Sequence, residues 1–319
     1  MKNKITLILL FKIWATHVAF GQNLKADTFF TPSKTLNTKR LYGLVGVGAA
    51  GYTTAIFALN SVWYSGYART KFHYFDDNGE WLQADKVGHA LTAYNEAEWT
   101  YEAFRWAGVK NTNAALLGMA SGMLFQTTFE MLDGYSSQWG FSWGDMKANL
   151  SGCVLFGVQQ AAWREQRITF KVSNFPKNYS KTPVLVGTQT ISISDMVKKL
   201  YGKNYTETFF KDYNAINWWL SVNPKSFAKN SKLPAWLNVA VGYSAENVFG
   251  AYYNLPPTNT EAFPRYRQYF LSLDIDLTRI KTKNKLLKTV FRAFNFVKIP
   301  APALEYNSLK KFKFHPVMF

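Results

Sequence analysis

The chain has 319 residues, room for one large domain or two ordinary ones. Its single cysteine, Cys153, excludes an intramolecular disulfide, and its apolar neighbours suit a buried structural thiol. Aromatics at 17%, eleven of them Trp, are high for a soluble domain and suit a protein that meets a membrane interface.

Residues 1–21 read as an export signal: Lys2 and Lys4 precede an apolar run, and Ala19 and Gly21 supply the small residues a signal peptidase accepts. Cleavage is expected before Gln22. No cysteine follows the apolar run, so a lipid-anchored lipoprotein is not expected. Charge is uneven beyond this point. Residues 22–163 carry ten Lys/Arg against eleven Asp/Glu, whereas residues 164–319 carry twenty-four against nine. That contrast predicts two structural units, 22–163 and 164–319. The basic half suggests membrane lipid or another anionic envelope polymer as partner. Nucleic acid, the usual partner of so basic a chain, is not expected for an exported protein.

Residues 41–64 are apolar or small and long enough to cross a bilayer. They include Gly46, Gly48 and Gly51 in a G-x-G-x-x-G pattern. The dinucleotide reading fails, because it needs a preceding strand and an acid about 20 residues later. Nucleotide binding is therefore not expected. Residues 75–80, F-D-D-N-G-E, read as a tight turn. A helix is predicted over 84–107, with Asp85, His89 and Glu96 on one stripe and Glu98, Glu102 and Arg105 opposite. Glu102 and Arg105 have the spacing of an ion pair. Residues 111–129 form a second uncharged stretch of marginal spanning length, with a G-x-x-x-G from Gly118 to Gly122. It ends in Gln126, Glu130 and Asp133 on one stripe. A fourth helix starts near Asp145, with Asn149 and Gly152 beneath it.

The second half alternates as strands do, most clearly over 269–278, where Tyr269, Leu271, Leu273, Ile275 and Leu277 share one face. Residues 236–243 alternate as well, and 167–172, 184–190, 217–222 and 311–317 are further strand candidates. A short helix over 195–201 takes Ser194 as its cap, and 281–296 reads as a basic amphipathic helix suited to a membrane surface or to packing on the sheet. A terminal Phe319 is common in outer-membrane barrels, but about six strands are too few for a lone barrel. The fold class is α+β: a bundle of about four apolar helices, two of them long enough to cross a bilayer, then a β-rich unit.

Ionisable groups in an apolar bundle are expected to face one another. Asp85, Lys86, His89, Glu96, Gln126, Glu130, Asp133, Asp145 and Asn149 are therefore read as one polar core. It is either a network that fixes helix register or a site. As a site, it would bind a cation or use His89, Asp85, Glu130 or Asp145 in acid–base catalysis. Neither H-E-x-x-H nor paired cysteines are present, so no metal ion or other cofactor is expected.

These residues carry a resemblance. D-K-V-G-H-A, then F-E-M-L-D-G-Y-S-S-Q-W-G-F-S-W-G-D-M-K-A-N-L-S-G, resembles the YfiM-like family of predicted periplasmic lipoproteins of unknown function. More distantly it is similar to the VanZ-like membrane proteins, which share Asp-Lys-x-x-His and a later Asp-x-x-x-Asn-x-x-Gly. Here those positions are Asp85, Lys86 and His89, then Asp145, Asn149 and Gly152, with Glu130 as the intervening acid. The resemblance covers 63–160 and extends into 271–283. It implies an envelope setting and a shared polar core, and no particular reaction. The expected protein is an exported, membrane-associated envelope protein with a structural or binding role, or alternatively a membrane enzyme acting on a lipid-linked or phosphorylated substrate. A cleaved signal and a basic β-unit favour the outer membrane or periplasmic side over the inner membrane.

Overall fold

The structure, a computed structural model, describes residues 29–64 and 66–319. The expected signal peptide lies outside the described residues. Helix α1 (Thr38–Leu59) starts where the Asn37 side chain accepts the Arg40 backbone N–H. Among the described residues it is the one helix long and apolar enough to cross a membrane, over Thr38–Ala58, and none of that stretch is buried.

Three helices pack closely together: α2 (Ala84–Trp106), α3 (Asn111–Gly134) and α4 (Trp143–Ala162). Small residues make this possible. A side chain at Gly118 of α3 would strike the Ala97 carbonyl of α2, and one at Gly152 of α4 would strike the Ala90 carbonyl. Backbone thus meets backbone on both sides of α2. The second stretch of marginal spanning length lies in α3, and it is a bundle helix by this packing. Its buried face carries Gln126 and Glu130 beside Gly118 and Gly122, while Leu116, Leu117 and Leu124 are exposed.

The sheet has six antiparallel strands in the order β1 (Ile168–Asn174), β4 (Ile216–Val222), β5 (Leu237–Glu246), β6 (Tyr266–Ile275), β7 (Ala301–Asn307), β8 (Phe312–Met318). Strands β2 (Val184–Val186) and β3 (Gln189–Ile191) form a separate hairpin turning at Gly187, where φ is +60°. The single strand expected over 184–190 is therefore two. The short helix α5 (Ile193–Tyr201) is capped by Ser192, not Ser194. Helices α6 (Tyr205–Lys211) and α7 (Pro224–Phe227) follow it, both unforeseen. The basic helix α8 (Lys285–Ala293) is shorter than expected because Asn284 caps it by accepting the Leu287 N–H. Strand β7 escapes its pattern because of Pro302, which removes a ladder donor. A register shift between Ala301 and Ala303 accommodates it.

Helices and sheet share one core. Ala90, Ala93, Tyr94 and Ala97 of α2 and Phe156 of α4 pack with Phe170 of β1 and with Ile216 and Trp218 of β4. Cys153 is buried there, as its neighbours suggested.

The other face of the sheet curls over polar groups. Phe296 and Lys298 bond to both sides of Val172, so the chain entering β7 returns beside β1. Inside, Lys171 pairs with Asp274 at 2.8 Å with neither side chain exposed. Asp274 also accepts from the Ser221 hydroxyl and the Ile299 N–H, and Asn238 donates to Ser221. Across the sheet, Glu305 accepts from His315 and Asn307. A buried charge left without its partner is strongly destabilising. Lys171→Met should therefore lower unfolding free energy by about 3–5 kcal/mol. Lys171→Met/Asp274→Asn should recover part of it, as measured by urea unfolding in detergent.

Candidate functional site

The site is built at the N-terminal end of α2. Trp81, Leu82 and Gln83 enter the helix with φ of 50°, 54° and 64°. Three consecutive left-handed residues with side chains cost about 1–2 kcal/mol each. Tertiary contacts hold them: Trp81 N–H donates to Ala251 O, Tyr243 donates to Leu82 O, and Arg267 donates to Gln83 Oε1. This turn sets the first residues of α2 against the start of α4. Ser142 caps α4 by accepting the Asp145 N–H, and its own N–H donates to Glu130 Oε2 at 3.0 Å. Its hydroxyl donates to Asp77 at 2.6 Å.

Six of the nine expected residues meet here. Lys86 Nζ lies 2.6 Å from Asp77, 2.7 Å from Asp145 and 3.3 Å from Asp85. His89 Nδ1 sits 3.1 Å from Asn149 Oδ1 and 3.9 Å from Glu130 Oε1. Its Nε2 faces Asp145 Oδ1 at 3.6 Å and Asp85 Oδ1 at 3.9 Å. Asp85 also accepts from the Tyr213 hydroxyl at 2.8 Å. Glu130 Oε1 and Asn149 Nδ2 are buried with no hydrogen-bond partner among the described residues.

The other three expected residues lie apart from this cluster. Gln126 donates to Glu96 at 3.1 Å, higher in the bundle, and Asp133 accepts from Tyr64 at 2.8 Å. On the opposite face of α2, Glu102 pairs with Arg292 of α8 and not with Arg105, which bonds the Val109 carbonyl. Helix α8 lies within reach of Glu102, while the α2 C-terminus draws Arg105 to its free carbonyls.

Sequence reasoning missed Asp77, Ser142 and Tyr213. Ser142 was legible as a cap three residues before Asp145. Asp77 was hidden in a stretch read only as a turn. Tyr213 arrives from 128 residues away and leaves no local signal.

Charge is tightly coupled in this cluster. Burial opposes the His89 imidazolium, but Asp85, Asp145 and Glu130 outweigh it and carry His89 up to about 9. Burial likewise opposes the Lys86 ammonium, and Asp85 and Asp145 raise it nonetheless. Burial pushes Glu130 up to about 7 against the pull of His89. It pushes Asp145 upward too, against His89, while Asp85 adds to the rise. Burial would also raise Asp85, yet His89 and Lys86 hold it below the usual carboxylate range.

Residues 73–160 match the model of a family described as predicted periplasmic lipoprotein (DUF2279). Every member of the cluster except Tyr213 falls inside this match. No curated protein and no solved structure matches the chain. The match supports an uncharacterised, exported, membrane-associated protein of the cell envelope.

The raised His89 has a defined consequence for stability. A histidine whose pKa is raised by folding stabilises fully below its unfolded value near 6.5, and that contribution is lost as pH rises to about 9. The change corresponds to about 3 kcal/mol. Glu130, raised from 4.5 to about 7, disfavours folding increasingly from pH 4.5 to about 7, the same sign in a lower window. Denaturant unfolding from pH 6.5 to 9 should show the loss in the native chain and a shallower profile in His89→Gln, part of the slope remaining because burial also raises Asp145 and Glu96. Equal slopes would mean that His89 does not carry it.

Proposed function

We propose that this exported, membrane-associated protein has a binding role in the envelope and that its helical bundle takes up a divalent cation. Asp85, His89 and Asp145 would be the ligands. Each offers an atom, and these atoms lie within 4.8 Å of one another. Tetrahedral ligands at about 2.0–2.2 Å from an ion lie roughly 3.3–3.6 Å apart, so little closure is needed.

One observation carries the reading. The two nitrogens of His89 face different surroundings. Nδ1 is held by Asn149 Oδ1, with Glu130 behind it, and Nε2 is turned toward two carboxylates. A ligating histidine is typically fixed in this way through its second nitrogen. The likeness of Asp85, Lys86, His89, Asp145 and Asn149 to YfiM-like and VanZ-like proteins belongs to the same reading: a shared polar core in envelope proteins.

A second reading is favoured by Lys86. Its ammonium already lies within 3.3 Å of three carboxylates, as in a network that fixes helix register without an ion. Calorimetric titration of the chelator-treated full chain with zinc or manganese separates the two. On the cation reading, one ion binds per chain at pH 8. Affinity falls at least tenfold by pH 6, where protons compete for His89, and binding is lost in Asp145→Asn. If no ion binds at pH 8, the register-fixing network stands.

A further inference from the structure

The sheet is inverted in polarity. Its curled-in face holds Lys171, Ser221, Asn238, Asp274 and Glu305, all essentially buried. Its outward face is apolar, and the strand registers order it into rows. One row runs Trp218, Tyr243, Tyr269, Tyr306, Phe312 across β4 to β8. The next runs Leu220, Val241, Leu271, Leu304, Phe314, and a third pairs Val239 with Leu273. The bundle covers these rows over β1 and β4. Beyond Tyr243, which still packs against the bundle, they are bare over β5 to β8: Leu271 is 50% exposed, Leu304 55% and Phe314 60%. A sheet in water turns its polar side outward. A sheet with polar interior and apolar exterior has the arrangement of membrane strands.

We propose that the bare outward face of β5–β8 seats in one leaflet of an anionic lipid bilayer. Three observations select lipid over a second copy of the chain or another protein. The rows are sorted by chemistry, with aromatics at one end and aliphatics beyond them. That is the order found from the headgroup level inward. From Tyr269 to Leu273 the band is about 14 Å long at 3.4 Å per residue, the depth of one leaflet in a core about 30 Å thick. The third observation is charge. At the aromatic end, the turn from β7 to β8 carries Lys310 and Lys311 beside Tyr306 and Phe312, both lysines exposed. Basic side chains around an apolar surface complement anionic headgroups. A second copy would set an identical basic rim against this one, which like-charge repulsion disfavours. This inference does not depend on the cation reading.

Helix α1 could itself bring the chain to a membrane, so binding alone is no test. A local reporter is required. In a Cys153→Ala background, Leu271→Cys and Leu304→Cys would each carry a nitroxide label, with Lys311→Cys as a rim control. Val241→Cys stands in should either sheet variant misfold. The full-length chain is reconstituted into phosphatidylethanolamine–phosphatidylglycerol vesicles. Power-saturation EPR then compares collision with oxygen and with a water-soluble nickel chelate. The expected result is an oxygen-to-nickel ratio severalfold higher at 271 and 304 than at 311. Nickel access at 271 and 304 equal to that at 311 would place the face in water and overturn the proposal. Immobile labels shielded from both reagents would also overturn it, in favour of a protein partner. Spin–spin broadening between chains would identify that partner as a second copy.

Discussion

A helix with charge on two faces needs an answering partner on each, and α2 is that helix. Its small residues Ala90, Ala93 and Ala97 let α3 and α4 close onto its backbone, while Tyr94 reaches the sheet. This proximity brings Glu130 and Asp145 within range of His89 and Lys86. On the other side, Glu102 finds Arg292. The left-handed turn over Trp81, Leu82 and Gln83 fixes where the helix begins, and tertiary contacts hold that turn. Placement of the charged cluster therefore depends on packing between helices and sheet together.

The same reasoning accounts for the sheet. Lys171 and Asp274 can lie wholly buried because each answers the other and the remaining lone pairs are met by Ser221 and Ile299. Once the polar side chains of alternating strands turn inward, the apolar ones must turn outward. The bundle covers part of that outer surface, and the rest asks for an apolar environment. Helix α1, unburied over its apolar length, makes the same demand. Two surfaces of independent origin fit the membrane association that the periplasmic family match supports.

Much of this was legible in the sequence. Asp85, His89, Glu130, Asp145 and Asn149 stood at helical spacings within otherwise apolar stretches, and the cost of burying charge predicted that they would meet. The α+β division also followed from periodicity. Glu96, Gln126 and Asp133 shared those stripes yet settled elsewhere, because a stripe gives an angle around a helix and not a height along the bundle. Tyr213 and Asp77 joined the cluster through tertiary proximity, which no local spacing encodes. Alternation over 269–278 identified a strand with one apolar and one polar face. It could not say which face would be buried, since that depends on the curl of the whole sheet. Strand β7 was hidden by Pro302, which a bulge accommodates.

Helix α2 places His89 within a ring of carboxylates that keeps it charged at neutral pH. The most direct measurement is the titration of the His89 imidazole by NMR in the detergent-solubilised full chain, assigned through His89→Gln. His89 is expected to stay protonated through neutrality and to titrate near 9. A midpoint at or below the ordinary histidine value of about 6.5 would contradict it, for the carboxylates would then not hold the ring as the structure places them.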